Sequence, residues 1–414
     1  MAGDARASAA RLEAIVLLNV SLYAACFMAQ QPVQPYIVES LSSDARTAFT
    51  SLRTFIAALQ LVGSLLSGWL VDRYGARNVF LLAFLASAAS YAITACATSL
   101  PLLFLAQVPT VFQHAVLAAR AYVTSMLPAG PARADALGRV AFAYGVGMLV
   151  GPVLGGLLAQ AALAYAAAAA TVGSLLSIAL VWIFLPDAAA AAVTSHKNDA
   201  VVDGSGGSGG AIGAGAVGYG ALLSTPKMLS ALGVKALFTL ASSVLQSGVA
   251  LLATEHYRLG VAANGTILAA VAAFSIIGSV GIVPYLNRAF RASPGARVTP
   301  LCVTAAAAFA AALAAFSVTS THLQLLLLTP FLAIPQVVFE TLNTALLCDL
   351  VETSLHGSLH AAVMAMSSGV RVASPAIAAV LVSGAGAWSI GMTTSAVSLL
   401  VAGLLYAGVG TAEA

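Results

Sequence analysis

Long apolar runs separated by short polar stretches dominate this chain. A helix needs about 20 apolar residues to cross the hydrocarbon core of a bilayer. Runs of that kind cover residues 14–38, 47–71, 78–98, 101–127, 137–160 and 162–185, then 228–254, 263–286, 299–318, 322–348, 359–384 and 387–411. The pattern predicts an all-α membrane protein with twelve transmembrane helices. Between the sixth and seventh runs stands HKNDAVVDGSGGSGGAIGAGAVGYG, polar and glycine-rich. Such a stretch predicts a flexible linker, whether native or inserted. The expected organisation is a six-helix half over 1–185, a cytoplasmic linker over 186–227 and a second six-helix half over 228–414.

Composition agrees with a lipid solvent. Of the 414 residues 60% are hydrophobic and 7% are charged. Soluble domains carry roughly 25% charged residues, so this chain cannot build a water-facing surface. The lipid bilayer is its first partner. A net charge of +3 with no basic run excludes a nucleic-acid partner. The N-terminal stretch MAGDARASAARLEA leads into apolar sequence with no cleavage signature, which predicts a retained first helix. Cys26, Cys96, Cys302 and Cys348 lie in apolar stretches without metal spacing and read as buried, reduced thiols.

Placement of Lys and Arg sets the expected orientation. With both termini cytoplasmic, Arg6, Arg11, Arg73, Arg77, Arg133, Arg139, Lys197, Lys227, Arg288, Arg291 and Arg297 fall inside. Only Arg46 and Arg258 then fall outside.

The halves also repeat. FLAQVPTVFQHAVLAARAYV in the fourth span matches FLAIPQVVFETLNTALLCDL in the tenth, and GMLVGPVLGGLL in the fifth matches RVASPAIAAVLV in the eleventh. Pro109 aligns with Pro335, Pro152 with Pro375, and His114 falls opposite Glu340. Two parallel six-helix repeats are a transporter architecture, with the solute site between them near mid-membrane.

GWLVDRYGAR resembles the loop motif between helices 2 and 3 of the major facilitator superfamily, with Ala76 where a basic residue is usual. GVGMLVGPVLGG resembles the helix 5 motif of its antiporter branch. Within the superfamily, LQLVGSLLSGWLVDRYGAR, ALGRVAFAYGVGMLVGPVLGG and VKALFTLASSVLQSGV are most similar to the tetracycline-transporter-like, organic-cation-transporter-like member of solute carrier family 22. The resemblance implies a latch built on Gly68, Asp72, Arg73, Gly75 and Arg77. Asp72 would pair with Arg73 or Arg77, or sit at the N-terminus of helix 11, where a carboxylate is favoured. Gly68 and Gly75 would allow close backbone approach and a tight turn. An ordinary positive-inside loop is the plain alternative. The resemblance also ties Gly147, Gly151, Pro152, Gly155 and Gly156 to antiport through a bend at Pro152, with simple helix packing as the alternative. Ser275, Gly278, Ser279 and Gly281 form a similar small-residue face on the eighth span, and the two faces are expected to meet.

Ionisable groups inside a bilayer are costly and usually face a cavity. Here they are Arg53, His114, Arg120, Lys235, Glu340 and Arg371. The resemblance places helices 1, 4, 7 and 10 around the cavity, which selects His114, Lys235 and Glu340. Glu340 is the leading candidate for binding a cation or a proton, and His114 the second. A structural pair of Glu340 with Lys235 or Arg371 is the alternative, as is a hydrogen-bonded packing role for His114. Arg120 and Lys235 lie nearer the cytoplasmic ends and could snorkel. The first span is polar, with Asn19, Tyr23 and Gln30 near one face; Ser242, Ser243 and Gln246 do the same on the seventh. With Phe27, Phe55 and Phe238, these groups suit a mixed polar and aromatic ligand, or helix–helix hydrogen bonds. Gln107 stands where proton-coupled drug exporters of the superfamily usually have an arginine.

No P-loop, catalytic constellation, zinc spacing or dinucleotide fingerprint is present, so no enzyme, cofactor or metal is expected. Asp349, Glu352, His356 and His360 read as a solvated loop rather than a metal site. The expected function is secondary transport of a small organic, cationic or amphiphilic, solute in exchange for protons, by a monomer. A uniporter or symporter for a polar metabolite and a non-transporting scaffold or sensor stay open.

Overall fold

The computed structural model describes residues 2–126, 131–186, 226–291, 298–351 and 356–409. The expected linker therefore lies almost wholly outside the described residues, as do the side chains of Asp72, Asp349, Glu352, His356 and His360. Among the described residues, 12 helices are long and apolar enough to cross a membrane. They are Arg11–Leu41, Ala45–Val71, Ala76–Ala95, Leu100–Thr124, Asp135–Ala161 and Leu163–Phe184, then Pro226–Glu255, Val261–Leu286, Val298–Phe316, His322–Cys348, Ala362–Ala385 and Ala387–Tyr406.

Local sequence starts and stops these helices. Asp44 caps the second span, its carboxylate accepting from the Thr47 N–H at 3.2 Å. Thr321 and Gln324 close a capping box on the tenth, each side chain bonding the other's backbone N–H. The second span ends at Gly75, whose φ of +79° is strained for any side chain, and the third begins one residue later.

Three spans depart from a plain helix. The first is jointed at Gln31–Val33, and the helix restarts at Gln34. The fourth breaks into an α-helix over Leu100–Gln107, a 3-10 turn over Val108–Phe112 and a second α-helix over Ala115–Met126. The eighth widens into a π-helical turn over Ile277–Ile282.

The chain divides into two compact units. One comprises Met1–Ala48, Ala58–Gly206 and Gly260–Ala269; the other comprises Phe49–Ala57, Gly207–Leu259 and Ala270–Ala414. Lipid tails are as apolar as leucine, so helix association here rests on close packing. In the first unit Phe80, Phe84, Tyr122, Val140 and Val181 form the centre. The fifth span lies flush on the first. A Cβ at Gly147, Gly151 or Gly155 would stand 2.3, 2.5 and 2.1 Å from the carbonyl oxygens of Ser21, Ala25 and Ala29. In the second unit Phe238, Phe309, Phe316 and Phe339 are fully buried. Phe238 stacks on Phe339 with ring centroids 3.7 Å apart. All four cysteines are free; Cys96 is exposed, which corrects the expectation that all are buried.

Candidate functional site

The second unit holds a paired charge inside its helices. Lys235 Nζ lies 2.5 Å from Glu340 Oε2. The lysine side chain is 3% exposed and the carboxylate side chain 36%. The same ammonium faces the Glu340 carbonyl at 3.4 Å. Lys235 therefore does not snorkel to a membrane surface. A buried ammonium is tolerable only beside a counter-charge, and Glu340 supplies it. Every other acid within the spans stands near a span end: Glu13, Glu39, Asp135 and Glu255. Glu13 is itself engaged, 2.6 Å from Arg139. Phe238, one turn along the helix from Lys235, and Phe339, the neighbour of Glu340 in sequence, stack on one another in the packed core. Arg371, on the eleventh span, is exposed. Gln246, on the seventh, is exposed as well, while Ser242 and Ser243 are buried. Ser242 gives its hydroxyl proton to the Thr239 carbonyl at 3.0 Å.

Polar groups of the first unit cluster at the break in the fourth span. The Tyr23 hydroxyl donates to the Gln113 carbonyl at 2.6 Å. Asn19 is fully buried and donates to the Ile15 carbonyl at 2.8 Å. Gln30 donates to the Ala166 carbonyl at 3.2 Å. All three side chains thus spend hydrogen bonds on helix backbone. Asn19 Oδ1, Gln30 Oε1 and His114 Nε2 are buried with no partner among the described residues. The His114 ring lies against Gly63: a Cβ there would meet its Nε2 at 2.6 Å and the Val111 carbonyl oxygen at 2.0 Å. Gln107 is buried and turns back to the Leu103 carbonyl of its own helix at 3.4 Å.

In the loop between the second and third spans the Asp72 side chain lies outside the described residues, and the two arginines have other contacts as well. Arg77 donates to the carbonyl of Leu185 at 2.6 Å and of Trp182 at 3.1 Å. It thereby caps the C-terminus of the sixth span, where the helix dipole favours a cation. Arg73 stands over the rings of Trp69 and Tyr74, 6.0 and 5.9 Å from their centroids. Gly75 makes the tight turn. Gly68 meets nothing within 4 Å, so close backbone approach is not its role.

The small residues of the eighth span divide between the two units. Gly278 faces Val337 of the tenth span, and Gly281 faces open space. Contact with the fifth span comes earlier in the eighth. A Cβ on Gly265 would stand 2.3 Å from the Pro152 carbonyl oxygen, and one on Gly156 would stand 3.0 Å from Ala262. Asn264 adds a hydrogen bond to the Pro32 carbonyl at 3.0 Å. The sequence signal for this contact is VAANGT, small residues opening the span.

Solute carrier family 22 member 18 of Mus musculus is 34% identical over 154 residues, 35% of this chain and 37% of that protein. The class H tetracycline resistance protein of Pasteurella multocida is 29% identical over 146 residues, 35% of this chain and 36% of that protein. The alignments thus span little more than a third of these relatives. A solved D-xylose-proton symporter shares the fold with a TM-score of 0.69 and 14% identity, over 95% of this chain and 96% of that one. The family described as Major Facilitator Superfamily matches residues 16–375. With twelve candidate spans and that match over most of its length, the chain belongs to the major facilitator superfamily of membrane transporters.

Proposed function

We propose that this transporter moves a small amphiphilic organic solute and couples the movement to protons through the Glu340–Lys235 pair. The single observation that supports this is a 2.5 Å ion pair whose lysine is buried and whose carboxylate stays partly open. A proton or a cationic group arriving at Glu340 takes the place of Lys235. The sign of the coupling follows from solute charge. A cationic solute competes with the proton for one carboxylate, which gives exchange. A solute that binds elsewhere moves with the proton or independently of it. The relatives named as tetracycline resistance proteins favour export of a drug-like solute. Gln107, in place of the exporters' arginine, favours a symporter or uniporter. Transport proceeds by alternating access in a monomer with cytoplasmic termini. Asp72 acts in the latch, so Asp72→Asn lowers turnover without unfolding the protein; unchanged turnover in that variant removes the latch.

The test is reconstitution in liposomes with an internal pH dye, a proton gradient and a panel of organic solutes. Solute-evoked proton movement that disappears in Glu340→Gln and in Lys235→Met/Glu340→Gln supports the reading. Solute flux without proton movement in the unaltered protein overturns the coupling.

A further inference from the structure

Spans seven, eleven and twelve of the second unit leave a groove between them. It encloses about 500 Å³ and is walled by Gly233, Val234, Leu237 and Leu240 on span seven, Val370 on span eleven and Leu404 on span twelve. Ser230 stands at one end, and its hydroxyl is spent on the Lys227 carbonyl at 2.8 Å. A Cβ on Gly233 would meet nothing within 4 Å, so the space beside it is open. The groove faces spans eleven and twelve, whereas Lys235 turns to Glu340 on span ten, so the two sites are separate.

Depth, width and charge select its occupant. Successive spans cross in opposite directions, so the starts of spans seven and eleven and the end of span twelve reach one membrane surface. From Ser230 to Leu240, at about 1.5 Å of rise per residue, the groove runs about 15 Å. That is half of the roughly 30 Å hydrocarbon core, the depth of one leaflet. A volume of about 500 Å³ over that length gives a mean cross-section of about 33 Å², well below the roughly 80 Å² of a helix about 10 Å across. The groove is therefore too narrow for a partner helix and wide enough for a hydrocarbon chain. Lys227 lies one turn before Ser230 on the same helix face, exposed at the start of the span. A lysine at that level stands among lipid headgroups and attracts anionic ones.

We propose that this groove holds one acyl chain of an anionic glycerophospholipid, with the headgroup phosphate against the Lys227 ammonium. The site lies outside the ion pair and does not depend on proton coupling there.

The experiment titrates the delipidated full chain in detergent with phosphatidylglycerol and with phosphatidylcholine of the same acyl chains, and reads bound lipid by native mass spectrometry. Expected is one phosphatidylglycerol bound at least tenfold more tightly than phosphatidylcholine. Gly233→Phe fills the groove and weakens phosphatidylglycerol binding at least tenfold. That variant also replaces a poor helix former, so it is expected to fold. Should it fail to elute as a folded protein, Val370→Phe fills the groove from the facing wall and carries the same expectation. Lys227→Gln removes most of the preference between the two lipids while both still bind. Phosphatidylglycerol binding unchanged in the filled variants overturns the site. Equal affinity for the two lipids in the unaltered protein overturns the anionic headgroup at Lys227. A dimer that Gly233→Phe splits into monomers overturns the lipid and gives the groove to a second copy of the chain.

Discussion

Spans four and ten carry the same FLA…P…VF pattern, yet one breaks over Val108–Phe112 and the other runs helical from His322 to Asp349. Proline alone does not explain this, because span ten contains two, Pro330 and Pro335. At Pro330 and at Pro109 the freed backbone groups are met in different ways. In span ten the Thr329 hydroxyl donates at 2.7 Å to the Leu326 carbonyl, the group that Pro330 leaves without an amide. In span four the Leu105 carbonyl that Pro109 abandons takes the N–H of Val108, which tightens the turn. The break then continues to Gln113, whose carbonyl takes the Tyr23 hydroxyl. The neighbouring helices differ too. Gly63 leaves room for Val111 and His114 to move in, whereas Gly278 meets Val337 at an ordinary 3.6 Å. At the paired positions, Glu340 answers a buried lysine, and His114 offers a ring nitrogen with no partner. One repeat unit has become an ionic site and the other a bent polar core.

Four tests sharpen or break this contrast. The largest effect belongs to the ion pair. Lys235→Met or Glu340→Gln alone leaves a charge unanswered and costs about 3 kcal/mol, while the double variant recovers most of the loss. Thermal unfolding in detergent measures it, and a double variant no better than the singles breaks the claim. Next comes Gly63→Ala, which pushes a methyl into the span-four backbone and costs about 1–3 kcal/mol. Gly278→Ala, its counterpart, is close to neutral; equal losses in the two would dissolve the contrast. Third, Tyr23→Phe strands the Gln113 carbonyl and lowers stability by about 1–2 kcal/mol. Amide exchange across residues 108–114 should quicken, and unchanged exchange would show that the hydroxyl does not hold the break. The smallest is Thr329→Val, about 1 kcal/mol, read from the same melting curves. A span ten indifferent to that change satisfies its proline in some other way.

Much of the candidate site was visible in the residues. Glu340 stood out as the acid far from any span end, and a pair with Lys235 was one of its two readings. Lys235 was misplaced because sequence gives depth along a helix but not the direction of a side chain around it. The resemblance offers Asp72 either Arg73 or Arg77 as a partner; that Arg77 also reaches the end of span six, more than a hundred residues away, has no mark in the local motif. The glycines of span five were marked as a packing face. Their partner, span one, depended on which helix came to lie beside them.

The twelve spans, the repeat and the membership of the superfamily were determined by sequence alone. Each depends on hydropathy and spacing, and in a bilayer a long apolar run has no stable choice but helix. The tertiary structure decided the pairing of Lys235 with Glu340, the break in span four and the seating of the fifth span on the first. Each of these is an interaction between helices distant in sequence. Its energy depends on orientation and on a few tenths of an ångström of separation, which a linear pattern does not encode.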